Sequence, residues 1–221
     1  YENISGNNNV FIGYVSGTNN SYGSNNVFLG SASGYNNIEG TDNIFLGSNS
    51  GSSNLNGSFN VYLGNRSGMT IQSGNSNIMI GDGCGEQAKG GSYNVFLGYN
   101  AGKINQASYN TFIGYQSGYS DTTGGYNVFV GYNSGYHNMS GSLNVFMGYL
   151  SGFNNTEGTH NVFLGDEAGM SNTSGWSNNF IGQGAGYTNS DGTNNIFIGN
   201  DAGRLNESSS GNIYIGRNAG Y

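Results

Sequence analysis

A three-residue apolar run set between an asparagine and a glycine recurs along the whole chain. It reads Asn9-Val10-Phe11-Ile12-Gly13, then Asn26-Val27-Phe28-Leu29-Gly30, and continues to Asn212-Ile213-Tyr214-Ile215-Gly216. There are thirteen copies; eleven of the twelve intervals between them are 17 residues, and the one from Gly98 to Gly114 is 16. A small residue and a glycine follow each run, as at Ser16-Gly17, Ser33-Gly34, Ala101-Gly102 and Ala219-Gly220. A third glycine (Gly23, Gly40, Gly57, Gly124, Gly158) usually precedes the next run, and the short unit carries Lys103-Ile104-Asn105-Gln106-Ala107 instead.

A fixed short period signals stacked repeats. Glycine recurring every few residues excludes helices, since each costs about 1 kcal/mol relative to alanine inside one. The Val/Ile-Phe-Ile/Leu runs favour strands. The pattern therefore predicts an all-β protein, a parallel β-solenoid (β-roll) of about 13 coils with 17 residues per coil. Each coil is expected to hold one firm strand, a tight turn at the small-Gly pair, a weaker second strand and a loop. At a strand spacing of roughly 4.8 Å, the stack would make a rod on the order of 60 Å long. Residues 1–221 are read as a single tandem-repeat domain, excerpted from a longer chain.

Alternate strand residues face opposite sides. Val and Ile share one side and the central ring takes the other, so both sides are apolar. The central stripe is Phe11, Phe28, Phe45, Tyr62, Met79, Phe96, Phe112, Phe129, Phe146, Phe163, Phe180, Phe197 and Tyr214. Exposed, it would far exceed the few hundred Å² of apolar patch usual on a monomer. It is therefore expected to be an oligomer interface covered by another chain, which Phe129→Asp would weaken. In the alternative arrangement Phe fills the coil interior and Val/Ile face outward; the polar residues Thr111 and Asn179 in the Val column favour it. The residue before each run is invariably asparagine: Asn9, Asn26, Asn43, Asn60, Asn77, Asn94, Asn110, Asn127, Asn144, Asn161, Asn178, Asn195 and Asn212. Identical amides in a stack form hydrogen-bonded ladders, so this column is expected to be structural.

The small residue of the small-Gly pair is expected to point inward where the coil is narrow. Cys84 occupies that place and reads as a small buried side chain, not a nucleophile. Its neighbouring glycines, Gly81, Gly83 and Gly85, belong to the repeat and precede no helix, so they do not make a phosphate loop. Tyrosines gather near the turns, as at Tyr115, Tyr119, Tyr132, Tyr136 and Tyr149, where they are expected to pack along the turn edge. An exposed aromatic surface for glycans or proteins is the alternative.

Composition removes most other chemistry. Only 8% of residues are charged, the net charge is -7 and no basic stripe exists, which argues against nucleic acid. No apolar run is long enough to insert in a membrane as a helix. His137 and His160 fall at different repeat positions without a recurring serine or carboxylate. No paired Cys/His spacing suits zinc, and acids do not recur in phase for a calcium ladder. The acids at Asp82 to Glu86 and Asp166-Glu167 are expected to be solvated turns. Neither an enzyme nor a cofactor is expected. The eight Asn-x-Ser/Thr sequons, among them Asn3, Asn56, Asn138 and Asn206, match chance in so Asn-rich a chain.

The run and its small-Gly partner, as in Asn94-Val95-Phe96-Leu97-Gly98 with Ala101-Gly102, resemble the head repeats of YadA-like trimeric autotransporter adhesins. They resemble more closely the Asn-Val-Phe-Ile-Gly repeats of bacterial surface proteins that end in a phage tail-fibre-type chaperone domain. This resemblance implies a left-handed β-roll, three chains side by side, and a role in attachment. The longer period and the bulky Phe depart from the adhesin heads. The expected function is a structural or adhesive fibre segment, extracellular, at a cell surface or on a virion. Its partners would be copies of itself, in a homotrimer or filament, and a host protein or glycan receptor. The alternatives are a self-polymerising filament subunit and a monomeric ice- or glycan-binding solenoid.

Overall fold

All thirteen Asn-(Val/Ile)-Phe-(Ile/Leu)-Gly runs form strands, each three residues long. The computed structural model describes residues 3–221. The chain divides into two compact units, Tyr1–Tyr109 and Asn110–Tyr221, and the boundary falls in the short repeat. The first unit holds β1 (Val10–Ile12), β2 (Val27–Leu29), β3 (Ile44–Leu46), β4 (Val61–Leu63), β5 (Ile78–Ile80) and β6 (Val95–Leu97). The second holds β7 (Thr111–Ile113), β8 (Val128–Val130), β9 (Val145–Met147), β10 (Val162–Leu164), β11 (Asn179–Ile181), β12 (Ile196–Ile198) and β13 (Ile213–Ile215). Within each unit successive strands pair in parallel, like residue against like residue, for example Phe11↔Phe28 and Phe129↔Phe146. Each unit is a parallel β-solenoid with one coil per repeat.

Among the described residues the expected second strand is absent. The backbone outside the strand still bonds from coil to coil, as in Gly17 N–H to Ser33 O at 3.0 Å and Asn19 N–H to Tyr35 O at 3.0 Å. Residues with positive φ flank each strand, such as Asn25 (φ 58) before β2 and Ala32 (φ 54) after it, and from Ala32 round to Asp42 (φ 56) turns and bends leave no extended run. Only the Asn-to-Gly stretch stays straight enough to form a ladder.

The central rings lie inside the coil, and the expected interface stripe is corrected accordingly. Phe28, Phe45, Tyr62, Met79, Phe96, Phe112, Phe129, Phe146, Phe163, Phe180 and Phe197 are fully buried within this one chain, while Phe11 and Tyr214 in the end coils are partly exposed. A ring with no exposed surface has nothing to offer a partner chain. The rings stack instead on one another, with centroids 4.8 Å apart for Phe28–Phe45 and Phe129–Phe146 and nearly parallel planes. Such offset stacks add about 0.5–1.5 kcal/mol per pair beyond simple burial. The glycine of the small-Gly pair closes the ring's other flank. A Cβ on Gly17 (φ +58) would meet Phe11 Cδ2 at 2.6 Å, so only glycine permits the ring to lie there.

Two columns of amides wall the rings. Typically the Asn before a strand accepts through Oδ1 from the backbone N–H of the next Asn, as Asn26 N–H to Asn9 Oδ1 at 2.9 Å, and donates through Nδ2 to the third glycine of the repeat, as Asn26 to Gly40 O at 2.8 Å. The expected structural column is present, though its bonds run mainly between amide and backbone. In the short repeat, Asn94 Nδ2 reaches Ala107 O at 2.9 Å, so one residue is lost from the loop without breaking the pattern. A second, unforeseen amide column stands eleven residues after the first. Asn37 Nδ2 donates to Asn20 Oδ1 at 2.7 Å and Asn54 Nδ2 to Asn37 Oδ1 at 2.6 Å. Buried Ile71 and Ala88 interrupt it, leaving Asn54 Oδ1 without a donor. In the second unit Asn138, Asn155 and Asn172 continue the same column, anchored on buried Asp121 through Asn138 Nδ2 to Oδ2 at 2.9 Å. The sequon asparagine Asn138 is thereby sealed inside.

Small inward residues complete the coil. Ser33 Oγ donates to Phe45 O at 2.9 Å, and Cys84 makes the equivalent contact to Phe96 O through Sγ at 3.3 Å. Cys84 is fully buried, as expected, and burial pushes its thiol far above the usual range. Tyr62 is the one hydroxylated ring among the fully buried central rings. Its oxygen lies toward the Asn77 amide without a well-formed hydrogen bond, and burial pushes the phenol far above its ordinary range. An unsatisfied buried hydroxyl costs about 1–3 kcal/mol. Tyr62→Phe is therefore expected to leave the fold intact and to raise the urea midpoint of unfolding; a lowered midpoint would show that the hydroxyl is bonded.

Candidate functional surfaces

With the rings turned inward, alternation places the two other strand residues outward. Their exposure is substantial, from 37% at Ile181 to 67% at Ile215 among the most open, and they form two aliphatic columns on each unit. No charged residue interrupts either column, and Thr111 and Asn179 are the polar exceptions. In some coils large side chains flank the columns before the Asn and after the Gly, and in the others small or polar residues stand there. In the second unit Tyr126 precedes Val128 and Val130, with Tyr132 after them, and Leu143 precedes Val145 and Met147, with Tyr149 after them. Tyr115, Tyr132 and Tyr149 are about half exposed and stack at 5.1 and 5.4 Å. The turn tyrosines thus both pack along an edge, as expected, and present their outer faces to solvent.

A second feature is a groove of about 460 Å³ on the second unit, lined by Ser120, His137, Met139, Asn154, Thr156, Ser171 and Thr173. Two columns of the repeat build it, one on each side of the buried amide column. Beside it runs a row of rings, Tyr119, Tyr136 and Phe153, spaced 4.9 and 5.4 Å apart. The His137 imidazole stands edge-on to Tyr136 at 4.7 Å and to Phe153 at 4.9 Å. Partial burial lowers its pKa from the ordinary histidine value, favouring the neutral ring.

The acids at 82 to 86 are not a simple solvated turn. Glu86 is 7% exposed and is held by Arg66 Nη1 at 2.9 Å and Lys103 Nζ at 3.2 Å, while Arg66 also reaches Asp82 at 3.4 Å. The signal was available: Arg66, Asp82, Glu86 and Lys103 lie within a few residues of one another once the 17-residue period is removed. The cluster sits beside the interruption of the second amide column and ties three coils together. Asp166, by contrast, is exposed. Among the described residues no group of three or more His, Cys, Asp or Glu is placed to hold a metal, and no helix is long and apolar enough to cross a membrane. His137 and His160 occupy different columns, and neither is brought to a serine and a carboxylate in a relay.

Compared with family models, with curated proteins and with solved structures, the chain finds no match in any of the three.

Proposed function

We propose that this chain is a non-catalytic structural segment of an extracellular fibre or adhesin, in which the outward aliphatic strand face packs against the same face of other copies. The observation that carries this reading is the exposed, charge-free pair of columns on a solenoid whose interior is already filled. Strand spacing and residue rise give the three-residue strand face of one unit an area on the order of 300 Å². That is somewhat under half of the roughly 800 Å² that each partner contributes to a standard interface, so the flanking side chains of the turns have to contribute the rest. Pitch argues for a second copy as the occupant. A row of side chains repeating at every strand interdigitates along its full length only with a row of the same repeat, and another copy supplies it. Three copies side by side is the stoichiometry that the adhesin resemblance implies.

Sedimentation of the purified chain tests this. An assembly larger than the 23.2 kDa monomer is expected. Val145→Lys combined with Met147→Lys adds two charges at outward positions, the first partly buried and the second exposed, and is expected to shift the chain to monomer without lowering its melting temperature. A wild-type chain that sediments as a monomer at every concentration would overturn the interface.

A further inference from the structure

The geometry points to the groove on the second unit as a binding site for an uncharged, extended polysaccharide of β-1,4-linked pyranoses. It uses other columns than the strand face and so stands apart from the self-association proposed above.

The two walls of the groove differ in chemistry. On one wall the backbone N–H groups of His137, Asn154 and Ser171 are paired from coil to coil, but their side chains make no hydrogen bond within the chain, so those side-chain polar groups are available to a ligand. On the other wall the hydroxyls are already used: Thr156 Oγ1 donates to Thr173 O at 3.0 Å and Thr173 Oγ1 to Ser190 O at 3.0 Å. Their methyl groups, with the half-exposed Met139, are what remain to face outward. The result is an apolar wall opposite a polar one. A pyranose has the complementary character, with apolar C–H faces and hydroxylated edges, and ligand sites commonly combine apolar lining with a few placed polar groups.

Three further observations narrow the class. No charged residue lines the groove, so an anionic polymer gains nothing there. The backbone beside Thr156 and Thr173 is already paired from coil to coil, as in Thr156 N–H to Thr173 O at 2.9 Å, so a peptide strand has no ladder to join. The groove crosses four coils, and equivalent groups recur at the strand spacing, which is close to the advance per ring of a β-1,4-linked chain. An α-1,4-linked chain curls into a helix and falls out of step. The stacked rings of Tyr136 and Phe153 hold His137 upright, so the polar wall is set before binding.

Isothermal titration calorimetry on the full chain with cellohexaose, chitohexaose and maltohexaose tests the assignment. Saturable heat is expected with the first or second and none with maltohexaose. His137→Ala with Asn154→Ala is expected to weaken binding by about tenfold or more. Asn36→Ala with Ser53→Ala, at the same column of the first unit, should leave it unchanged. The imidazole resonances of His137 should shift on titration, which identifies the groove independently of any variant. No saturable heat at millimolar hexasaccharide, equal binding of maltohexaose, or wild-type affinity in the groove variant would each overturn the assignment.

Discussion

Phe129→Ala is expected to destabilise the second unit by about 3–5 kcal/mol, the range for truncating a buried aromatic ring. Phe129 is fully buried and stacks on Phe112 at 4.9 Å and on Phe146 at 4.8 Å. Truncation removes two ring contacts at once and opens a void that the coil cannot close, because the backbone on both sides is pinned by coil-to-coil bonds such as Asn144 N–H to Asn127 Oδ1 at 3.0 Å. Repeat proteins distribute stability among neighbouring units, so the loss should appear first as faster amide exchange around residues 127–147 and then as a lower unfolding midpoint. A midpoint within experimental error of the wild type would show that the ring does not hold the coils together. Val128→Ala, one residue away on the outer face, should cost much less, since that side chain is partly in water already.

Gly131→Ala is expected to be comparably damaging, for a different reason. Gly131 closes strand β8 with φ +140, a conformation that side chains rarely adopt. A Cβ there would collide with the carbonyl of Gly148 in the next coil, lying 2.8 Å from its carbon as well as closer to its oxygen. Relief requires the two coils to separate, and separation breaks the bond from Gly148 N–H to Val130 O at 2.9 Å. The strained φ alone costs on the order of 1–3 kcal/mol. Gly90→Ala is the matched control. No atom lies within 4 Å of a Cβ built there, and its φ is not positive. That change should be neutral or stabilise by about 0.4–1 kcal/mol by restricting the unfolded chain. Chemical denaturation of the two variants side by side reads both results, and equal midpoints would contradict the packing described.

The period, the strand at each run and the in-register stacking were legible because they follow from spacing alone. Which side of the strand faces inward was not. Alternation states that Val128 and Val130 share a face opposite Phe129, but when both faces are apolar it does not say which one is buried. The deciding clues were minor ones in the sequence. Thr111 and Asn179 intrude into the outer column, whereas the central column admits only Phe, Tyr and Met. The glycine six residues beyond each ring is unbroken because the ring lies flat against it, a relation visible only in three dimensions. The second amide column recurs visibly at Asn20, Asn37 and Asn54 but was hidden by the general abundance of asparagine and by its break at Ile71 and Ala88. The groove beside it depends on which hydroxyls turn back to the backbone, and spacing carries no such information.

The short repeat around Asn94 shows that one circuit can lose a loop residue and still find the carbonyl it needs in Ala107. The joints between circuits are therefore interchangeable. Copying or deleting one whole segment in the gene brings together two surfaces already shaped for each other, so length can change in a single step without any new solution to folding. The turns join the circuits through their backbone, so their outward side chains are free to diverge. In such a molecule, reach and surface specificity are inherited as separate traits.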